Sequence, residues 1–174
     1  MKAKMLTALL VTATVLLAAC GAQQTTTPKP TITEFPLPHS DSEPSGITAR
    51  PDGNLWFTES SITGDTNGKI GRITPAGQIT EFPIPTANNS PDGITASPDG
   101  NLWFTECGSS SPRTHGQIGR ITPGGQITEF PLPNSNRIPS DITAGPDGNL
   151  WFTEASCSAS GCTSSQIGRI TSGK

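Results

Sequence analysis

The stretch Pro-Asp-Gly-Asn-Leu-Trp-Phe-Thr-Glu at residues 98–106 decides the fold, because the same nine residues also start at Pro51 and at Pro146 of this 174-residue chain. Two shorter strings accompany it. ITEFP starts at Ile32, Ile79 and Ile127, and IGRIT starts at Ile70, Ile118 and Ile167. The chain is therefore built from internal repeats with a period of 47 to 49 residues.

Each repeat favours short strands over helices, because Gly and Pro punctuate it at close intervals. In the first repeat we expect four strands, around Ile47–Arg50, Asn54–Glu59, Lys69–Thr74 and Ile79–Pro85. A period of about 40 to 50 residues with several strands is typical of β-propellers. We therefore predict an all-β fold, a β-propeller with three blades of four antiparallel strands each.

The phase of the repeat bears on how the propeller closes. The first repeated element is a lone fourth strand, Ile32 to Pro38, and the last is a third strand, Ile167 to Thr171. The lone strand could complete the last blade and so remove a free edge. Since propellers usually have about four to eight blades, we expect either an open partial propeller or a six-bladed ring formed by a homodimer.

The N-terminus has the pattern of an export signal. Lys2 and Lys4 precede an apolar run from Leu6 to Leu17, which ends in Leu-Ala-Ala-Cys at residues 17–20. We predict a lipoprotein signal peptide at residues 1–19, a lipidated Cys20 opening a flexible tether over residues 20–31, and the repeat domain over residues 32–174. The protein is then exported and held at the cell envelope by the lipid on Cys20 only.

Charge argues against one class of partner. The formal net charge is −3, and no run of Lys or Arg occurs. Nucleic-acid binding is therefore not expected, because it relies on basic patches that neutralise phosphates.

The longer loops point to a ligand-binding face. The tight turns repeat almost unchanged, whereas the loops between the fourth and first strands and between the second and third strands differ in every repeat. Variable loops on a rigid scaffold are common in recognition, although solvent-exposed loops also vary without a role. The candidate residues for contact with a small molecule or peptide are Arg113, His115, Arg137 and Asp141.

Three cysteines lie in the loops that follow the second strands. Cys157 and Cys162 are close enough to bridge their own loop, and the alternative is a bridge from Cys107 to the neighbouring blade. No metal site is predicted, because Cys107 and His115 lack a recognised metal-binding spacing.

Six charged residues recur at fixed places. Since they are the same in all three copies, we expect them to close strand ends and to pair within or between blades. They are Glu59, Glu106, Glu154, Arg72, Arg120 and Arg169.

Residues 79–125 contain the strings ITEFPIP, PDGITASPDGNLWFTE and IGRITPGG. This repeat resembles that of the virginiamycin B lyases, also called streptogramin lyases. The resemblance covers residues 32–174. It implies a propeller, seven-bladed in that family, that opens cyclic streptogramin B depsipeptides. The implied reaction is a Mg²⁺-dependent elimination at the ester, which needs a general base and a cation that stabilises developing negative charge.

The resemblance also locates the family's catalytic histidines, in Pro-His-(Gly/Ala)-Ile segments at the start of the first strands. The matching residues here are Ser45, Asp92 and Ser140, and the family's Glu before the Pro is matched by Glu43. We therefore expect a surface binding module without the catalytic His. The alternatives are a Mg²⁺-dependent lyase in which Glu43 or Asp92 replaces the His, and a truncated duplicate without function.

The N-terminal pattern is directly testable. We expect the wild-type chain to incorporate a radiolabelled fatty acid and to sediment with membranes, because the thiol of Cys20 carries the lipid. Cys20→Ser should abolish the label and release the chain from membranes. Cys107→Ser serves as the matched control and should leave both properties unchanged; equal labelling of the Cys20→Ser chain would contradict the prediction.

Overall fold

The computed structural model describes residues 29–61, 67–108, 115–158 and 161–172. The predicted signal peptide, Cys20 and most of the tether lie outside the described residues. No helix in the described ranges is long and apolar enough to cross a membrane. The strands of the described ranges are β1 (Ser42–Ala49), β2 (Leu55–Ser61), β3 (Lys69–Ile73), β4 (Ile79–Pro83), β5 (Asn89–Ala96), β6 (Leu102–Gly108), β7 (Gln117–Ile121), β8 (Ile127–Pro131), β9 (Arg137–Ala144), β10 (Leu150–Ser158) and β11 (Gly161–Ile170).

These strands form three antiparallel sheets, which confirms the predicted all-β propeller blades. Blade 1 has the order β1-β2-β3-β4, blade 2 has β5-β6-β7-β8, and blade 3 has β9-β10-β11. All three lie in one compact unit, Phe35–Lys174. The other unit is Met1–Glu34, of which the described residues, 29–34, are exposed and irregular.

The first strands of the blades lie side by side in the interior of the array. β1 contacts β5, and β5 contacts β9. The hydroxyl of Thr58 in β2 donates to the carbonyl oxygen of Asp92 in β5 at 2.6 Å, and Thr105 in β6 donates in the same way to Ser140 in β9. Each blade is therefore tied to the next near its first strand, and β4 and β8 form the outer edges.

The apolar core lies between blades. Trp56 and Ile70 of blade 1 pack against Leu102 and Phe104 of blade 2. The equivalent residues repeat the arrangement one blade later, where Trp103 and Ile118 pack against Leu150 and Phe152. Each blade thus has a Trp face, made of its second-strand Trp and third-strand Ile, and a Phe face, made of its second-strand Leu and Phe.

The repeated arginines pack on the aromatic rings of their own blades. The guanidinium of Arg72 lies 5.6 Å from the ring centroids of both Trp56 and Phe82, and those two rings stack at 5.4 Å. Arg120 lies over Trp103 and Phe130 in the same way. Because their side chains are flat and weakly hydrated, these arginines extend the aromatic stack.

The first strands begin earlier than predicted, so the loops before them are shorter. β1 starts at Ser42 although Pro44 interrupts it, and its register against β2 shifts between Pro44 and Ile47. β5 shows the same shift between Pro91 and Ile94. A bulge lets the backbone pairing continue past a proline that cannot donate to the ladder.

Two other expectations need correction. The described residues of the predicted strand Ile32 to Pro38 pair with no sheet, but Phe35 lies against Gly77 as Phe82 lies against Gly125. The predicted loop at residues 155–165 is largely strand, since β10 and β11 extend to Ser158 and from Gly161.

The third strands need a glycine because the Phe of the second strand lies across it. The ring of Phe104 occupies the space that a Cβ on Gly119 would take. Gly119→Ala should lower the free energy of unfolding by about 1–3 kcal/mol, the usual cost of overpacking a core. Denaturation by urea measures this change. Gly124→Ala, in the next turn, has only the Thr122 hydroxyl at 3.9 Å and should be neutral within about 0.5 kcal/mol; equal losses in both variants would contradict the packing argument.

Candidate functional site

A polar pocket lies where β1 of blade 1 meets β5 of blade 2. Its volume is about 340 Å³. The lining consists of two carboxylates, three serine hydroxyls and two prolines, from Glu43, Asp92, Ser45, Ser60, Ser90, Pro44 and Pro91. The three weak catalytic candidates of the sequence, Glu43, Ser45 and Asp92, therefore line one pocket, although they come from two repeats.

Hydrogen bonds fix the floor of this pocket. The Ser45 hydroxyl donates to Oδ1 of Asp92 at 2.6 Å, and the Ser60 hydroxyl donates to the carbonyl oxygen of Pro91 at 3.2 Å. The carbonyl of Asp92 accepts from Thr58, as described above. Asp92 is half-buried and Glu43 is exposed, so the pocket has one carboxylate held in place and one facing solvent.

The bulges place these side chains. Pro44 and Pro91 lie opposite Glu59 and Glu106 in the register, and the ladder shifts directly after each proline. The residue after each proline, Ser45 or Asp92, is then at the same backbone position of its blade. The two meet because β1 and β5 are neighbours.

The third copy of this position lies apart from the pocket. Ser140 and Asp141 lie against Gly93 in β5, and Oδ1 of Asp141 accepts from the amide of Ile142 at 2.9 Å. Asp141 is exposed, and it lines a smaller cavity of about 170 Å³ on blade 3.

A second cavity, of about 510 Å³, lies at the variable-loop end of blade 2. His115 lines it together with Asn88, Asn89, Gln117 and Ser135 among others. His115 has a positive φ of 59°, and its amide donates to the carbonyl of Ser135 at 2.7 Å. His115 and Asp141 therefore line different cavities.

Arg137 is not among the described residues that line that cavity. Arg137 lies at the start of β9 with its guanidinium 3.5 Å from the carbonyl oxygen of Ser164, and Arg113 lies outside the described residues.

Glu106 is a buried acid whose chemistry the sequence did not reveal. It is 0% exposed, Oε2 accepts from the amide of Asn89 at 3.1 Å, and Oε1 has no hydrogen-bond partner among the described residues. Burial raises the pKa of Glu106 to about 8, the negative charge of Glu129 adds to this, and the Asn89 amide opposes it. Glu106 is therefore largely protonated at neutral pH.

The equivalent Glu59 has different neighbours. Burial also raises the pKa of Glu59, but the Ser42 hydroxyl and the charge of Lys69 oppose the shift. Lys69 itself pairs with Glu81 at 2.9 Å. A repeated Glu after Trp-Phe-Thr signals a structural position, but only the fold shows which copies are desolvated.

The cysteines occupy two different settings. Cys162 is disulfide-bonded, and Cys157 lies directly across from it in the register of β10 and β11. Cys107 is buried in β6 and is 2% exposed. Among the described residues no group of three or more His, Cys, Asp and Glu side chains is placed to hold a metal ion.

The profile of the virginiamycin B lyase family matches residues 19–174. The chain belongs to the virginiamycin B lyase family. The structure of virginiamycin B lyase from Staphylococcus aureus superposes with a TM-score of 0.58 and 36% identity, over 81% of this chain and 45% of that one. A structure described as a streptogramin B lyase gives 0.57 and 36%, over 80% and 44%.

This virginiamycin B lyase family member spans less than half the length of those two solved structures. No curated protein sequence matches it. Ser45 and Asp92, which the resemblance matches to the family's histidines, both line the polar pocket.

The family resemblance implies a Mg²⁺ ion, and the polar pocket offers oxygen atoms that could bind it. Mg²⁺ prefers oxygen ligands and is commonly held by one or two carboxylates with several waters retained. Glu43 and Asp92 supply two carboxylates, and Ser45, Ser60 and Ser90 supply hydroxyl oxygens. The donor chemistry of the pocket therefore fits Mg²⁺, with Glu43 and Asp92 as the residues that would hold it.

Glu106 should make stability depend on pH. Its pKa rises from an ordinary 4.5 to about 8 on folding, so between these values the folded chain binds a proton that the unfolded chain has lost. The free energy of unfolding therefore falls as pH rises from 5 to 8, with a slope of at most about 1.4 kcal/mol per pH unit from this group. Urea denaturation at several pH values should show this slope in the wild type and its loss in Glu106→Gln.

The matched control for that measurement is Glu154→Gln, which alters the same repeat position in blade 3. We expect it to keep the wild-type slope. A Glu106→Gln chain whose stability still falls as steeply with pH would show that another group titrates.

Proposed function

We propose that this chain is an exported, lipid-anchored binding module that holds a streptogramin B-type cyclic depsipeptide without opening it. The observation that carries the proposal is the pocket around Glu43, Ser45 and Asp92. It contains the residues that the resemblance matches to the family's catalytic histidines, but none of its lining residues is a histidine.

The lining suits a ligand with exposed N–H groups. Ionised carboxylates only accept hydrogen bonds, and the Ser45 hydroxyl already donates to Asp92. Neither Lys nor Arg is among the lining residues, so the carboxylates attract amide, amine or hydroxyl donors. A volume of about 340 Å³ falls in the range of small-molecule pockets, which runs from about 300 to 1,000 Å³. A cyclic peptide would place part of its ring there.

The same lining argues against efficient proton abstraction. A general base works best when its pKa is near the ambient pH, which is why imidazole is the usual choice. Here the candidate bases are Glu43 and Asp92, and carboxylates are weak bases at neutral pH. The Ser45 hydroxyl also donates to Oδ1 of Asp92, which stabilises the ionised carboxylate and makes it a weaker base.

A lyase is the second candidate, favoured by the two carboxylates at the family's reactive position. In that case Glu43 would hold the Mg²⁺ and Asp92 would take the proton from the carbon next to a carbonyl. The electron pair would form a carbon–carbon double bond, and the ester C–O bond would break to leave a carboxylate. No water is consumed. A bound Mg²⁺ would stabilise the charge that develops on the carbonyl oxygen.

Equilibrium dialysis of the purified full chain with a streptogramin B and Mg²⁺, followed by mass spectrometry and chromatography, tests the proposal. We expect binding with the cyclic compound recovered intact. Asp92→Asn should weaken binding about tenfold or more, because a hydrogen bond to a charged group is worth about 1.5–3 kcal/mol. Asp52→Asn changes an exposed carboxylate in the turn after β1 and should leave the affinity unchanged.

The other outcomes assign the function differently. A linear isomer of unchanged mass, formed by the wild type and lost in Asp92→Asn, would show that the chain is a lyase. Absence of both binding and product would contradict both functions and would agree with a decayed duplicate. Binding that is equal in Asp92→Asn and wild type would place the ligand elsewhere.

A further inference from the structure

Blade 1 carries a lysine ammonium group beside two carboxyl groups. Lys69 lies across from Glu59 in the register of β2 and β3. Its Nζ lies 2.9 Å from Oε2 of Glu81 in β4 and 2.9 Å from Nδ1 of His39. Burial raises the pKa of Glu59, and the charge of Lys69 is one of the effects that oppose this shift. The two acids of blade 1 therefore have an internal cation next to them.

Blade 2 repeats both carboxyl groups without the lysine. Glu106 and Glu129 stand at the positions of the two blade 1 acids, and Gln117 stands at the position of Lys69. Burial raises the pKa of Glu106, and the negative charge of Glu129 raises it further. No cation among the described residues contributes to that shift. The same pair of acids thus lacks the positive charge that blade 1 supplies.

Two of the groups around this position are incompletely bonded. Oε1 of Glu106, which is completely buried, has no hydrogen-bond partner among the described residues. Gln117 is 8% exposed, and its side-chain amide forms no hydrogen bond within that part of the chain. Buried polar groups in native structures are nearly always hydrogen-bonded, and exceptions need an explanation. Both groups are therefore available to a ligand.

The cavity at the variable-loop end of blade 2 opens beside these groups. Its volume is about 510 Å³, and Thr86, Asn89 and Gln117 are among its lining residues. The side-chain amide of Asn89 donates to Oε2 of Glu106 at 3.1 Å. The backbone amide and the hydroxyl of Thr86 donate to the two carboxyl oxygens of Glu129 at 3.1 and 2.8 Å. The lining residues therefore connect the cavity directly to both acids.

The charges around the cavity favour a positive ligand. The titratable groups that border it or act on its acids are Glu106 in β6, Glu129 in β8 and His115 just before β7. The strands β5 and β7 face it with the neutral side chains of Asn89 and Gln117. Neither Lys nor Arg is among the described lining residues.

We propose that this cavity binds a primary alkylammonium ion, whose nitrogen takes the place that the Lys69 ammonium group has in blade 1. The nitrogen donates to Glu129 and to the side-chain oxygen of Gln117, which is shorter than lysine and leaves room for it. The alkyl stem lies against Leu132, which lines the cavity together with Ala87 and Pro131. The positive charge favours ionised Glu106, whose proton passes to the solvent as the ligand binds.

The available acceptors select N–H donors over a bare cation. A primary ammonium group has three N–H donors, and the oxygens of a carboxylate and of a glutamine amide only accept. Among the described residues no group of three or more His, Cys, Asp and Glu side chains is placed to hold a metal ion. A quaternary ammonium ion has the charge but no N–H group, so it should not bind in the same way.

NMR of the purified full chain in a mild detergent tests the proposal, with n-butylammonium chloride as the probe because this ion is the lysine side chain without its backbone. The carboxyl carbon signal of Glu106 reports the ionisation of that side chain. At pH 7 we expect the signal to move from the protonated to the ionised position, with saturation, as n-butylammonium is added. n-Butyltrimethylammonium has the same stem and charge and should leave the signal in place.

Gln117→Lys supplies the ammonium group from the chain itself. We expect its Glu106 signal to lie at the ionised position without ligand, and its affinity for n-butylammonium to fall about tenfold or more, because the hydrogen bonds to charged groups are already made. Gln126→Lys adds the same charge at an exposed position in the turn between β7 and β8. This control should keep the wild-type signal and affinity. Cooperative urea unfolding shows that both variants are folded.

The remaining outcomes decide the source of the ligand or reject the site. Nα-acetyl-lysine amide that binds more tightly than n-butylammonium would assign the ammonium group to a peptide lysine, and weaker binding would assign it to a free amine. A Glu106 signal that ignores n-butylammonium, or that responds equally to n-butyltrimethylammonium, would overturn the proposal. So would a signal that already lies at the ionised position in the wild type at pH 7 without ligand.

Discussion

The structure depends on keeping one Trp and one Phe of each repeat out of water, which a single blade cannot do. Trp56 and Trp103 are 0% and 1% exposed only because another blade lies on them. Burying a large apolar side chain contributes about 2–3 kcal/mol, whereas ordering each residue costs about 1–2 kcal/mol. A sheet of four short strands with two bare faces is therefore unstable alone, and its stability comes from stacking on its neighbours.

This constraint explains what could be predicted from the sequence. The period, the turns and the placement of β2, β3 and β4 follow from apolar residues and glycines that repeat almost unchanged. The starts of β1 and β5 were missed because Pro44 and Pro91 suggest loops, and only the pairing with the second strands shows that a bulge continues the ladder. The pocket formed by Glu43, Ser45 and Asp92 was not visible either, because it depends on two first strands that are about one period apart in the chain.

Electrostatics were the least predictable part, because they depend on neighbours and not on the repeat. Glu59 and Glu106 follow the same eight residues in the sequence, yet Glu59 has Lys69 across the register and Glu106 has Gln117. That exchange removes a positive charge beside a desolvated carboxyl. Burial raises the pKa of both carboxyls, but the charge of Lys69 opposes the shift only at Glu59. Repeat identity alone therefore does not determine the chemistry of a repeated residue.

The backbone at the pocket is held by contacts that do not involve the side chains in question. The carbonyls of Asp92 and Ser140 accept bonds from Thr58 and Thr105, and these threonines belong to the unchanging Trp-Phe-Thr-Glu string. A Ser or Asp can thus stand where the family is expected to have a His without disturbing the scaffold. Family membership then constrains the backbone of this position strongly and its chemistry weakly. For this reason the function must be argued from the side chains that the pocket contains.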